Sequence, residues 1–107
     1  MAGYILHYYN IIDRSRVDEL GPLSLPGVEK YGGEIMVASP VKMLKGKTAY
    51  SNMIIYKFKS FETALECHQS ESAEFREFRD QIVDVISMVL PGHSETQDVI
   101  NSGYFQA

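Results

Sequence analysis

Short apolar runs alternate along the chain with polar breaks marked by glycine or proline, and the period of the runs changes from segment to segment. GYILHYYNII at 3–12 is dense in Tyr and Ile with hardly a polar interruption, which predicts a strand apolar on both faces. Asp13 stands where a helix N-cap belongs, its carboxylate able to accept from the free amides of the next turn, and a helical segment is expected through Leu20. Gly21, Pro22 and Pro26 interrupt it, because proline lacks an amide proton and clashes with the preceding turn. Two short helical pieces are therefore expected, the second running toward Tyr31. Gly32 suits the left-handed conformation that ends a helix, and Gly33 lets the chain reverse into the strand EIMVAS without a side-chain clash. Pro40 to Lys47 reads as a hairpin connection, and NMIIYKFK at 52–59 as the returning antiparallel strand.

Ser60 caps a helix beginning at Phe61, with Glu62 well placed in its first turn. SES at 70–72 reads as a break, with Ser72 as a fresh cap. Phe75, Phe78, Ile82 and Ile86 then fall at spacings of three and four, one stripe of a helix that packs on the sheet. VISMVL at 85–90 is too apolar and β-branched for a surface helix end, so most of it is expected to be the last strand, stopped at Pro91-Gly92. The order strand, helix, strand, strand, helix, strand predicts an α+β, ferredoxin-like βαββαβ sandwich, four antiparallel strands with two helices on one face. Residues 1–93 make up this domain, and 94–107 form a polar tail with a late aromatic pair, either disordered or docked on a partner subunit.

Both helices cover one side of the sheet, yet the strands are apolar on both: Tyr4, Leu6 and Tyr8 oppose Ile5, Tyr9 and Ile11, while Met53 and Ile55 oppose Ile54, Tyr56 and Phe58. At ~25 cal/mol per Å², several hundred Å² of such a face left in water forfeits on the order of 10 kcal/mol, comparable with the stability of a whole domain. A homodimer with two sheets face to face is the economical cover, and the cleft between sheet and partner is then the natural ligand site.

Composition narrows the function classes. A chain of 107 residues, 45% hydrophobic and 22% charged, is sized for one globular core, and no apolar run approaches the roughly 20 residues that span a bilayer. The first residues lack a basic region and a small-residue cleavage site, so a cytoplasmic location is expected, with no membrane partner. A single cysteine, Cys67, leaves no internal disulfide and no Cys-x-x-Cys motif. The net charge of −4 weighs against a nucleic-acid partner, and Lys42, Lys45, Lys47, Lys57 and Lys59 straddle a turn and a strand. P-loop, G-x-G-x-x-G and G-x-S-x-G motifs are absent, and no histidine pair has metal-site spacing, so neither metal nor cofactor is expected.

Strand parity selects the candidate residues. If Ile35, Val37, Ile54, Tyr56 and Phe58 face the helices, then Glu34, Met36, Ile55 and Lys57 face away, and on the first strand so do Tyr4, Tyr8 and Asn10. Tyrosine hydroxyls, an amide, Glu34 and Lys57 in an apolar cleft can orient a planar oxygenated ligand and act as acid or base. The structural alternative packs Tyr8 across the dimer, bonds Asn10 to a backbone edge and pairs Glu34 with Lys57. The histidines titrate near neutrality. His7 has parity toward the helices, His68 lies in the second helix, and His93 follows the last strand. Tyr8, His68 and His7 are the catalytic candidates. Tyr4, Asn10, Glu34, Met36, Lys57 and Arg79 are the ligand-binding ones, Arg79 as a bidentate carboxylate holder at the margin of the helical stripe.

YGG at 31–33, LKG at 44–46, IIYKFKSFETAL at 54–65 and the early Asp13 resemble the small bacterial family called domain of unknown function thirteen-thirty, over roughly residues 3 to 92. The resemblance implies a dimeric α/β barrel with a pocket in each subunit. That fold is shared by cofactor-independent monooxygenases, cyclases and isomerases of polyketide and aromatic metabolism. It therefore implies a cofactor-independent enzyme binding an aromatic or polyketide-like metabolite, with proton-transfer chemistry such as cyclisation, isomerisation, dehydration or hydrolysis, or cofactor-free oxygenation. The alternative is a noncatalytic module of the same fold that binds a metabolite or stabilises a partner. The chain departs from the family pattern at Cys67-His68, where members carry an aromatic pair, at SESAEF, and at Gly21, Pro22 and Pro26 in the first helix; the family's arginine matches Arg79 with a one-residue slip.

Overall fold

The computed structural model describes residues 1–92; the expected docking tail and His93 lie outside the described residues. Four strands, β1 (Gly3–Ile11), β2 (Glu34–Pro40), β3 (Asn52–Phe58) and β4 (Val83–Pro91), form one antiparallel sheet in the order β2-β3-β1-β4. Between them run α1 (Leu20–Lys30), preceded by a 3-10 turn at Val17–Glu19, then α2 (Phe61–Gln69) and α3 (Ala73–Ile82). This is the α+β ferredoxin-like arrangement that the order of elements predicts. Among the described residues no helix is long and apolar enough to cross a membrane.

The caps sit where the sequence puts them. The Ser60 hydroxyl accepts from the Thr63 amide at 3.1 Å and the Ser72 hydroxyl from the Phe75 amide at 3.0 Å, each satisfying a free donor at a helix start. Gly32 closes α1 with φ 74, in the left-handed region. A Cβ on Gly33 would stand 2.5 Å from a Val28 methyl and 2.7 Å from the Phe58 ring, so only glycine lets β2 leave α1 this closely.

Four local expectations change. Asp13 caps no helix: one carboxylate oxygen accepts from the Ser15 amide at 3.0 Å and the other from Arg16 Nε at 2.8 Å, which stabilises a turn ahead of the 3-10 segment. The first connection divides before Leu20, and Gly21, Pro22 and Pro26 all lie in one continuous α1. Pro22 falls in the first turn, where its missing amide proton costs nothing, and Pro26 is held by packing: Val28 is buried, and Cys67 of α2 donates to the Gly27 carbonyl at 3.7 Å. The helical stripe stops at Ile82, and Ile86 belongs to β4 opposite Tyr8. There the Ile82 carbonyl accepts from the amides of Ile12 and Asp13, and Val83 and Val85 pair with Ile11 and Tyr9. The sheet outbids the helix for this β-branched run. Lastly, the register of β2 slips between Ile35 and Val37, a bulge that places Val37 opposite Ile55 and so on the face away from the helices. Ile35 keeps the side of Tyr56 but is 48% exposed, since β2 is an edge strand beyond the helical cover.

The core lies between sheet and helices, built from Ile5, Val28, Tyr56, Phe58, Ala64 and Cys67. On the other side Ile86, Met88 and Leu90 remain 41–44% exposed, beside Val37 at 38%. One face is closed by helices and the other is open.

Candidate active site

The helix side does not close completely. Beside the core, the sheet and the helices form a cavity of about 580 Å³, lined in part by the core residues Ile5, Val28, Tyr56 and Cys67. Its floor is β1, β3 and β4 through His7, Tyr9, Ile54, Tyr56, Val83 and Val85, and its roof is α1, the end of α2, the α2–α3 turn and α3. The sheet order puts β1 in the middle, so His7 stands at the centre of the floor.

Period two fixes that placement. His7 is paired with Ile54 on β3 and Ser87 on β4, and all three side chains share the helix-side face. His7 Nδ1 lies 2.6 Å from the Ser87 hydroxyl, and the Tyr56 ring meets the imidazole edge-on with centroids 6.0 Å apart. Burial, then the positive charges of Arg79 and His68, lower its pKa from 6.5 to about 4. At neutral pH this is an uncharged imidazole with Nδ1 engaged by Ser87 and no protein partner on Nε2 among the described residues.

Four further groups come from α2, α3 and the turn between them. Arg79 of α3 donates through Nη1 to Glu71 Oε2 at 2.7 Å, its guanidinium 5.4 Å above the Phe75 ring. Glu71 Oε1 lies 3.3 Å from His68 Nδ1 and 3.8 Å from Arg76 Nε, and Arg76 Nη2 also donates to the His68 carbonyl at 3.0 Å. The α2–α3 turn thus ties His68, Glu71, Arg76 and Arg79 into one network. Beneath it, burial raises the Tyr56 phenol and the Cys67 thiol, so both stay protonated.

Of the residues singled out from the sequence, the cavity brings together His7, His68 and Arg79. Tyr4, Tyr8 and Asn10 share the open face with Lys57, Ile55 and Met53, as parity requires, and that face holds no part of this cavity. Glu34 is paired opposite Lys57, though no ion pair joins them among the described residues, and Met36 sits at the bulge, 53% exposed. Asn10 braces the return of the β2–β3 loop: its amide donates to the Ala49 carbonyl and its Oδ1 accepts from the Ser51 amide at 3.0 Å. Tyr8 packs on Tyr50 with centroids 5.4 Å apart, and its hydroxyl is buried without a partner among the described residues. The cleft expected from the sequence lies on the open face, on the other side of the sheet from this cavity. Tyr56, Glu71 and Ser87 were missed; the signal for Glu71 was its place inside the SES break, where a turn between two helices aims a carboxylate at both.

Among the described residues no group of three His, Cys, Asp or Glu is arranged to hold a metal ion. The chain is similar to a protein of unknown function from Rhodopseudomonas palustris, RPA0582, with 18% identity, TM-score 0.66, and 88% of this chain and 84% of that one covered. It is also similar to the hydroxynitrile lyase from Passiflora edulis, with 11% identity, TM-score 0.55 and coverage of 88% and 95%. A dabb family protein with a ferredoxin-like fold from Mesorhizobium loti gives 8% identity, TM-score 0.52 and coverage of 87% and 98%. At these identities the likeness is one of fold. No curated protein matches the chain. A family model matches residues 2–93, nearly the whole described fold, and the chain belongs to the family described as Domain of unknown function (DUF1330).

Proposed function

We propose that the protein is a homodimeric, cofactor-independent enzyme that binds a small, largely apolar metabolite in the cavity between sheet and helices and moves a proton with His7. The observation that carries this reading is the neutral His7 at the centre of the cavity floor, its Nδ1 held by Ser87 and its Nε2 without a protein partner among the described residues. One hydrogen bond fixes the ring and the other nitrogen remains for a substrate, the arrangement that general base catalysis needs. The walls of Ile54, Val83, Val85 and Phe75 suit an apolar or aromatic body, and the His68–Glu71–Arg79 network supplies polar anchoring at one end. Proton-transfer reactions such as isomerisation, cyclisation, dehydration or lyase-type cleavage fit this inventory, and one protein of the same fold is named a hydroxynitrile lyase. The open face of Leu6, Ile55, Met88 and Leu90 is the proposed dimer surface, for the area argument made from the sequence.

The test is native mass spectrometry of freshly purified protein, followed by turnover of any retained molecule. The expected result is a dimer carrying a small molecule, with His7→Asn lowering turnover about 10²- to 10⁴-fold while dimer and fold persist. A monomer that stays empty against a metabolite library, or an undiminished His7→Asn enzyme, overturns the reading.

A further inference from the structure

We infer that the ligand of this cavity carries a carboxylate or another anionic oxygen, seated against Arg79, with its apolar body along Ile54, Val83 and Phe75. This rests on the cavity reading above and narrows it to one substrate class.

The first support is the inventory of basic side chains around the cavity. His7 rises from β1, His68 descends from α2 and Arg79 from α3, with Arg76 behind them, and among the described residues Glu71 is the one acidic side chain lining the cavity. A protein of net charge −4 has here gathered two guanidiniums and the His68 imidazole around a single carboxylate, with the His7 imidazole lining the same cavity. The second support is unmet hydrogen bonding. Glu71 Oε2 takes only Nη1 of Arg79; Arg79 Nε, Arg76 Nε and Glu71 Oε1 are buried without a hydrogen-bond partner among the described residues, two donors against one acceptor. A buried donor left unpaired costs more than an ordinary hydrogen bond returns, and a guanidinium edge accepts a carboxylate in two parallel bonds. The third is the remaining lining. Phe75 lies under Arg79, and Ile54, Val83 and Val85 give the floor an aliphatic stretch beside His7, Tyr9 and Tyr56, so an apolar body has a surface to lie on next to the charged groups. A molecule with an apolar body and one acidic group matches that division.

The same placement addresses a weakness of His7 as a base. An imidazole with a pKa of about 4 is always available at neutral pH but takes a proton poorly. The groups facing it are His68 and Cys67 of α2, Glu71 of the turn, Arg79 of α3, Tyr56 of β3, Ser87 of β4 and Tyr9 of its own strand. A bound anion opposes Arg79 and His68, the two charges that depress His7, and so strengthens the base only when the correct ligand is present.

The experiment compares benzoate and 1-naphthoate with their neutral amides, benzamide and 1-naphthamide, on the full-length protein by calorimetry. Carboxylates are expected to bind about tenfold or more tighter than the amides, and Arg79→Met to erase that preference while leaving amide binding in place. In parallel, imidazole ¹⁵N resonances of the unaltered protein should show His7 titrating at higher pH with 1-naphthoate than with 1-naphthamide, a readout that does not depend on the variant folding. Equal binding of acids and amides, or a preference that survives Arg79→Met, overturns the anionic class and leaves the cavity reading intact. Absence of binding by all four compounds overturns both.

Discussion

The two faces of the sheet are made from the same strands and nearly the same residue types, yet they end in different states. On the helix side, Ile5, Tyr56 and Phe58 are 1–6% exposed and the incomplete cover becomes a cavity with a titratable floor. On the open side, Ile86, Met88 and Leu90 stay 41–44% exposed, and the polar groups there, Asn10 and Tyr50, bond to the loop and to Asp84. An apolar pattern therefore says that a face must be covered, while what covers it decides whether chemistry collects there.

The comparison is broken most forcefully from the helix side. Phe58→Ala removes a ring that is 1% exposed and should cost about 4 kcal/mol of stability, read by urea unfolding and independent of protein concentration. The open face should behave differently: Met88→Glu places a charge in the proposed interface, and the dimer should weaken about 100-fold in sedimentation while each subunit keeps its helical circular dichroism. A concentration-independent loss there would remove the distinction between the faces.

Acid sharpens it further. His7 takes up a proton at about 4 when folded and at 6.5 when unfolded, so between those values the unfolded chain binds more protons. Stability should fall as the pH drops from 6.5 toward 4, by up to about 3 kcal/mol, and His7→Asn should flatten that segment of the curve. Asp13 acts in a separate window. The Ser15 hydroxyl, then Arg16, hold its carboxyl below 3.8, so its contribution is present above that pH and lost only as the pH falls further. The smallest expected change is Ser60→Ala, about 1 kcal/mol from one lost cap on the helix that carries His68.

Much of this was legible in the chain. Ser60, Ser72 and Gly32 act where they stand because a cap or a left-handed turn is decided within four residues. The face of each β1 and β3 side chain was legible too, since period two needs no partner to be read. The Met36 bulge and the end of α3 at Ile82 were not, because both depend on what the neighbouring strand offers. Pro26 misled for the same reason, its lost hydrogen bond being outweighed by the burial of Val28.

The site divides along the same line. The sequence by itself determined the order of elements, the ferredoxin-like sheet and the shared face of His7, Ile54 and Tyr56, all consequences of local periodicity. Only the tertiary structure decided that the enclosed space lies under the helices and that Glu71 joins His68 to Arg79. Enclosure depends on how far two packed layers stand apart, and that distance is set by side chains meeting across the chain rather than along it.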